Sequence, residues 1–204
     1  MAILVWLARP KMALARLRYW LWERANPDMP WLCPGTIKFC QAHLSKSMVA
    51  VEFGSGRSTL WLSTLVGRLI SVEHNAEWYG VVRKQLADAS AANVDYRLVP
   101  LSHPESEGER PEYSPVPDYV AVADQFEDKG IDFAVVDGHY RTRHYRTHCV
   151  RHLIPKIAPR GYLLVDDVNF WPSLEALPVP ASWSVADDST NGIKRCIIWQ
   201  AAET

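Results

Sequence analysis

The sequence predicts an α/β fold: a doubly wound, mostly parallel seven-stranded sheet with a C-terminal antiparallel hairpin and an N-terminal helical extension. Three observations carry this. Strand-like and helix-like segments alternate from residue 48 onward, the pattern of a parallel sheet covered on both faces. The first strand-like run breaks into Gly54-Ser55-Gly56 just before a helix. The last two strand-like runs flank Asn191-Gly192, a hairpin turn signal.

Residues 1–24 carry Arg9, Lys11, Arg16, Arg18 and Arg24 against the single acid Glu23, interleaved with Leu14, Leu17, Leu21, Trp6, Trp20 and Trp22. Two readings compete. One is an amphipathic helix on an anionic membrane surface. The preferred one is a helix packed on the domain through its apolar side, with solvated arginines. Asn26 to Gly35 holds three prolines and a glycine and reads as a loop, and Thr36 to Leu44 as a short helix. The domain proper then begins: an extension of residues 1–47 precedes a domain of residues 48–204.

Within it, Val49 to Phe53 is a buried strand and Ser58 to Val66 a helix. Arg68 to Glu73 is the second strand, Glu77 to Ala92 a helix, and Val94 to Val99 the third strand. Ser102 to Pro117, with Glu105, Glu107, Glu109 and Glu112, reads as a mobile surface loop. Tyr119 to Asp128 is a helix, Ile131 to Asp137 the fourth strand, and a long helix runs to Ile157. Gly161 to Asp166 is the fifth strand, and Trp183 to Asp187 with Cys196 to Gln200 form the hairpin.

A chain of 204 residues holds one sizeable core. A formal net charge of -1 gives no electrostatic reason to expect a nucleic-acid partner. No apolar stretch is long enough to span a membrane, and Met1 to Ala8 lacks the basic leader of a signal peptide. Cys33, Cys40, Cys149 and Cys196 fit no zinc spacing and read as reduced thiols, so a cytoplasmic location is expected.

Ligands of doubly wound sheets bind beyond the carboxyl ends of the strands. Glycine lets the chain turn sharply there and leaves backbone free to meet a ligand. Glu52, two residues before Gly54, would repel a phosphate but suits a cationic ligand. Glu73, at the end of the second strand, can accept both hydroxyls of a ribose. Val51-Glu52-Phe53-Gly54-Ser55-Gly56-Arg57-Ser58 resembles the first motif of the class I S-adenosylmethionine-dependent methyltransferases, with Ser58 where a third glycine is usual. Val72-Glu73-His74 resembles their acidic second motif, and the final hairpin is similar to the one that closes their sheet. The resemblance covers roughly residues 48–200, about the size of one domain. It implies S-adenosyl-L-methionine as cofactor, held by Glu52, Gly54, Ser55, Gly56, Ser58, Glu73 and His74. It also implies methyl transfer; a small-molecule acceptor, methylated at oxygen, is expected because no basic-aromatic platform of the extent nucleic acid needs appears in the sequence.

Asp137 ends the fourth strand and Asp166-Asp167 the fifth. This layout is similar to that of the cation-dependent O-methyltransferases, which implies Asp137, Asp166 and Asp167 as ligands of a divalent cation, Mg or Ca. Asp167 stands where asparagine is usual, and the alternative is that Asp166 and Asp167 cap the next turn. Asp137 and His139 are the catalytic candidates, His139 as proton acceptor. Arg143 and Arg146, on the core-facing side of the following helix, are candidates for gripping an anionic substrate group; neutralising the acidic loop is the other reading. Trp31 borders the same pocket. His144, His148 and His152 recur every fourth residue, but on the side opposite the apolar stripe, so they read as a solvated face. The rival functions are an NAD(P)-dependent oxidoreductase, which would show a glycine at Thr59 and no acid at Glu52, and a non-catalytic binding module of the same fold.

Overall fold

The strand-like runs are rich in Val, Ile and Leu along their whole length, because helices bury them on both faces. In the computed structural model, which describes residues 10–103, 110, 112–138 and 143–203, these runs become a single sheet. Its strands are β1 (Val49–Phe53), β2 (Arg68–Glu73), β3 (Val94–Leu98), β4 (Ile131–Val136), β5 (Ile157–Val165), β6 (Ser184–Thr190) and β7 (Arg195–Gln200), in the order β3-β2-β1-β4-β5-β7-β6. The first five are parallel; β7 runs antiparallel to both β5 and β6. The strand order reverses between β1 and β4, which makes the carboxyl ends of those two strands the switch point.

Alternation along the strands divides the core in two. Val51, Phe53, Ile70, Val72, Ala134 and Val136 face one side, under helices α5 (Asp118–Ala121) and α6 (Arg143–Leu153), which contribute Tyr119, Val120, Cys149, Val150 and Leu153. Ala50, Leu69, Phe133, Val135 and Leu164 face the other, under α2 (Pro34–His43) and α3 (Arg57–Leu65), which contribute Ile37, Cys40, Trp61 and Leu62. Helix α4 (Ala76–Asp88) joins β2 to β3 and is N-capped by the Asn75 side chain on the Trp78 amide.

The departures from expectation have local causes. The helix predicted over Tyr119 to Asp128 is one α-turn followed by a 3-10 segment, Val122–Gln125. Strand β5 starts at Ile157, and its register against β4 shifts between Ile131 and Phe133, next to Arg160 at φ 62. Strand β6 runs on to Thr190 through Asp187 and Asp188, whose charge hides an edge strand from a hydrophobic pattern. In the loop expected over Ser102 to Pro117, residues 104–109 and 111 lie outside the described residues. Tyr113 is buried, its ring 5.0 Å from that of His148 and 5.6 Å from that of Tyr145.

Helix α1 (Pro10–Ala25) docks on the domain, but not by the side expected. Ala15 packs against Gly192, whose bare backbone admits it, and Trp22 packs on the core. Leu14, Leu17, Trp20 and Leu21 instead point outward and are each about half exposed. Residues 1–9 of the same extension lie outside the described residues, and among those described no helix is long and apolar enough to cross a membrane.

Phe133, fully buried on the α2–α3 side of β4, tests how much the core resists truncation. Phe133→Ala is expected to cost about 3–5 kcal/mol, seen as a lower urea midpoint at unchanged slope. A cost below about 1 kcal/mol would contradict the packing described.

Candidate active site at the carboxyl rim of the sheet

The sheet ladder continues past the strand ends. The Gly54 amide donates to the Val72 carbonyl (2.9 Å), the Asp137 amide to that of Phe53 (2.8 Å) and the Asp166 amide to that of Val136 (3.2 Å). These pairs bring the glycine turn, Glu73, Asp137 and Asp166 to one rim. Gly54 has φ 94, and any Cβ there would collide with the Asp137 carbonyl. The glycine is therefore required twice, by its dihedral and by the neighbouring backbone.

Glu52 does not reach this rim. Alternation turns it to the α3 side, where it is wholly buried under the turn. The Thr59 hydroxyl (2.6 Å) and the Ser71 hydroxyl (2.7 Å) donate to its Oε2, and Ser58 also bonds to it. Thr59 Oγ1 in turn accepts from the Gly56 amide (2.9 Å). Oε1 has no partner, and burial pushes the carboxyl up to about 7. The expectation that Glu52 and Ser58 face the ligand is corrected: both brace the turn from beneath.

Glu73 does reach the rim. Its Oε2 accepts from the Ser55 amide (3.1 Å) and hydroxyl (2.7 Å), its Oε1 from the His74 and Asn75 amides (both 2.8 Å). His74 Nδ1 lies 3.1 Å from the same oxygen. Burial alone would raise this carboxyl, but the hydrogen bonds from His74, Asn75 and Ser55 outweigh it and hold it below its ordinary value. Sequence reasoning missed two residues that frame this half. Tyr96 OH stands 2.7 Å from Ser55 Oγ, and Trp78 Nε1 donates to the Ser55 carbonyl at 2.8 Å. It also missed Tyr119, whose ring packs edge-on against Phe53 and His74 and whose buried hydroxyl has no partner.

The second half gathers Asp137, Asp166 and Asp167, with one oxygen of each within 4.8 Å of the others. Arg146 is not free to grip a substrate, which corrects that expectation. It is 3% exposed, donates from Nε (2.6 Å) and Nη2 to the Gly138 carbonyl and from Nη1 to that of Asp166 (3.0 Å), and places Nη2 3.3 Å from Asp137 Oδ1. Lys194, also unforeseen, donates to Asp166 Oδ2 (2.5 Å) and to the Trp31 carbonyl. The Cys196 thiol donates to Asp166 Oδ1 (2.6 Å). Nothing in the sequence marks Lys194. Only the register, with Val165 opposite Ile197, shows that β7 delivers Cys196 and Lys194 to Asp166.

Burial, reinforced by the neighbouring Asp166, holds the Asp137 carboxyl well above its ordinary value, and the same two causes raise Asp167. Asp167 adopts a left-handed φ of 53 and makes no side-chain cap to the turn it precedes, so the capping reading fails for it. The three acids are close enough for a divalent cation, but both oxygens of Asp166 are already engaged, and as it stands the set does not fit one. Trp31 is 46% exposed, with the Arg57 guanidinium 5.1 Å from its ring centre. His139 and the side chain of Arg143 lie outside the described residues, as does the side chain of His144. His148, expected on a solvated face, is buried, with Nε2 3.0 Å from the Arg110 carbonyl. A cavity of about 900 Å³ runs along α3 from Arg57 to Thr64 and contains none of the rim residues.

A doubly wound sheet with a glycine turn at its switch point and an acid at the end of the next strand is the frame of enzymes that bind a nucleoside cofactor. A family model described as a methyltransferase domain matches residues 51–168, more than half of the chain. The chain belongs to this family: it is a class I S-adenosylmethionine-dependent methyltransferase. No curated protein matches it in sequence. Among solved structures it is similar to an rRNA methylase from Streptococcus thermophilus, at 13% identity over 82% of this chain and 94% of that one (TM-score 0.57). SMU.1697c from Streptococcus mutans, in complex with SAH, is 13% identical over 81% and 94% (TM-score 0.56). A precorrin 8w decarboxylase from Methanobacterium thermoautotrophicum is 19% identical over 87% and 95% (TM-score 0.57). At such identities these likenesses are likenesses of fold.

Glu52 makes the turn sensitive to pH. Burial pushes its folded carboxyl up to about 7 from the ordinary 4.5, so the folded state binds more protons than the unfolded one between those values. Stability attributable to Glu52 therefore falls as pH rises from 4.5 to 7. The stability difference between Glu52→Gln and wild type is expected to move in favour of the variant by about 3 kcal/mol between pH 4.5 and 8, by urea unfolding at each pH. A flat difference across that range would contradict the burial of an ionisable Glu52.

Proposed function

We propose that this methyltransferase methylates a small molecule at oxygen. One observation carries the reading: Asp137, its amide bonded to the Phe53 carbonyl and its own carbonyl packed against Gly54, stands beside the glycine turn on the rim that also holds Glu73. S-adenosyl-L-methionine brings a methyl group already activated by its positive sulfur, so the protein must only align the acceptor and take its proton. In this reading Glu73 receives the ribose hydroxyls, which replace the Ser55 hydroxyl on Oε2. Gly54, Ser55 and Gly56 offer backbone for close approach, with His74 beside them. Glu52 and Ser58 act from below, by holding the turn.

Asp137 takes the proton of the acceptor hydroxyl. Burial leaves its carboxylate hungry for a proton, and the Arg146 guanidinium at 3.3 Å keeps it oriented. His139, two residues on, is the alternative acceptor. Trp31 and Arg143 are proposed to border the acceptor pocket. The divalent cation is not part of this reading, since Lys194 and Cys196 already hold both oxygens of Asp166.

A small molecule is the proposed acceptor because a net charge of -1 gives no electrostatic pull toward a phosphate backbone. Four buried, unpaired cysteines support a cytoplasmic location. The proposed organisation remains an extension of residues 1–47 on a methyltransferase domain of residues 48–204, although α2 of that extension shares the core.

S-adenosylhomocysteine is expected to raise the melting temperature by several degrees, while NAD and NADP leave it unchanged. Glu73→Ala should abolish that rise. A rise with either dinucleotide and none with S-adenosylhomocysteine would overturn the cofactor assignment. Asp137→Asn is expected to keep the rise but to lower methyl transfer about 10²–10⁴-fold on any hydroxyl acceptor found by screening. Undiminished transfer by that variant would remove Asp137 as proton acceptor.

A further inference from the structure

Three carboxylates sharing a rim need positive charge beside them, and the fold supplies it from two separate elements. Arg146, on α6, reaches Asp137 with one amino group at 3.3 Å and satisfies the Gly138 and Asp166 carbonyls with the rest of its guanidinium. Lys194, just before β7, lies on the opposite flank. Its side chain is 17% exposed, and its ammonium is pinned between Asp166 Oδ2 at 2.5 Å and the Trp31 carbonyl. The Cys196 thiol closes the other oxygen of Asp166 at 2.6 Å.

This arrangement leaves a divalent ion no entry. Such an ion prefers carboxylate oxygens and needs several at once. Asp166 is the most buried of the three acids, and its oxygens are both taken. A metal would have to displace an ammonium from that carboxylate while lying against it as a like charge. The lysine is not a loose surface residue that could swing aside at no cost. Its side chain is largely buried and its ammonium is held from two sides, by Asp166 and by the Trp31 carbonyl.

We propose that Lys194 is the built-in counter-cation of the acidic rim: it takes the electrostatic place of a divalent metal ion among Asp137, Asp166 and Asp167 and makes methyl transfer by this protein independent of metal. The last clause rests on the methyltransferase reading; the binding claim does not. Lys194 is thereby a positioning residue, acting through Asp166 and its neighbours. The converse also follows. Without the ammonium, three converging carboxylates are left with the donor set of a weak oxygen-ligand cation site.

The test is thermal unfolding of the whole chain in millimolar MgCl₂, CaCl₂ or MnCl₂ and in EDTA, each with and without S-adenosylhomocysteine. Wild type is expected to melt at the same temperature in all four, and its response to S-adenosylhomocysteine to be the same in each. Lys194→Met is expected to melt lower in EDTA and to gain a saturable rise of several degrees with at least one of the three ions. Lys194→Arg, which keeps the charge, should remain indifferent. A lysine that merely props up the fold would lower the melting temperature without creating a response to metal. A saturable rise of wild type with any of the ions, reversed by EDTA, would overturn the proposal, as would a folded Lys194→Met that gains nothing. If Lys194→Met folds only when an ion is added, the proposal stands; if no ion restores it, the trio is no latent cation site and the proposal falls. The S-adenosylhomocysteine arm is read separately, so a wrong cofactor assignment shows there and not in the metal response.

Discussion

Three backbone hydrogen bonds beyond the ends of the strands organise everything at the rim: Gly54 to Val72, Asp137 to Phe53 and Asp166 to Val136. They extend the parallel ladder by one residue into each loop, and so fix the first loop residue after β1, β4 and β5 as rigidly as the strands themselves. Functional groups on rigid elements hold their geometry better than groups on free loops. The cost of this rigidity falls on Gly54. With the Asp137 carbonyl against its Cα, a side chain there would force apart β1 and β4, the two strands that form the switch point.

The same ladder explains why some of the molecule was legible in the sequence and some was not. Strands β1 and β2 match their predicted bounds because their apolar runs are continuous and end at a glycine or an acid. The glycine turn and Glu73 were legible for the same reason, since both lie within a residue or two of a strand end. Residues whose position depends on pairing were not. Lys194 and Cys196 reach Asp166 only through the antiparallel register of β7 on β5. Arg146 and His148 looked like a substrate grip and a solvated face, because helical periodicity shows which side a residue takes and not what waits there. The loop carbonyls of Gly138 and Arg110 take them up. Glu52 was misplaced by one consideration, alternation, which sends it under α3 while its neighbours Val51 and Phe53 face α5 and α6.

The rim and the layer beneath its glycine turn concentrate charge where charge is expensive. Glu52, Asp166 and Arg146 are almost wholly excluded from water, and each isolated ion would cost several kcal/mol to place there. The structure meets this cost in two ways. Asp166 and Arg146 are paired and hydrogen-bonded on several sides. Glu52 is met by three hydroxyls and no cation, and its raised pKa is the remainder of the penalty. Well-packed apolar residues in place of such buried charges are often no less stable. Buried charge gathered where the strand order reverses is the kind of local exception expected at a functional site.

Those hydrogen bonds also bear on which ligand the turn accepts. A pyrophosphate is held by free amides at a helix start, helped by the positive end of the helix. Here the Gly54 amide is spent on Val72, the Ser55 amide on Glu73 and the Gly56 amide on Thr59. Each would have to be broken before a phosphate could dock. Glu52 adds a buried acid directly beneath the first turn of α3, and when ionised it opposes the helix dipole that an anion would seek. A neutral ribose asks for none of these amides, and a cationic sulfonium meets no repulsion from Glu52 or Glu73. In the proposed reading Glu52 disfavours phosphate through the turn above it and not by touching the ligand.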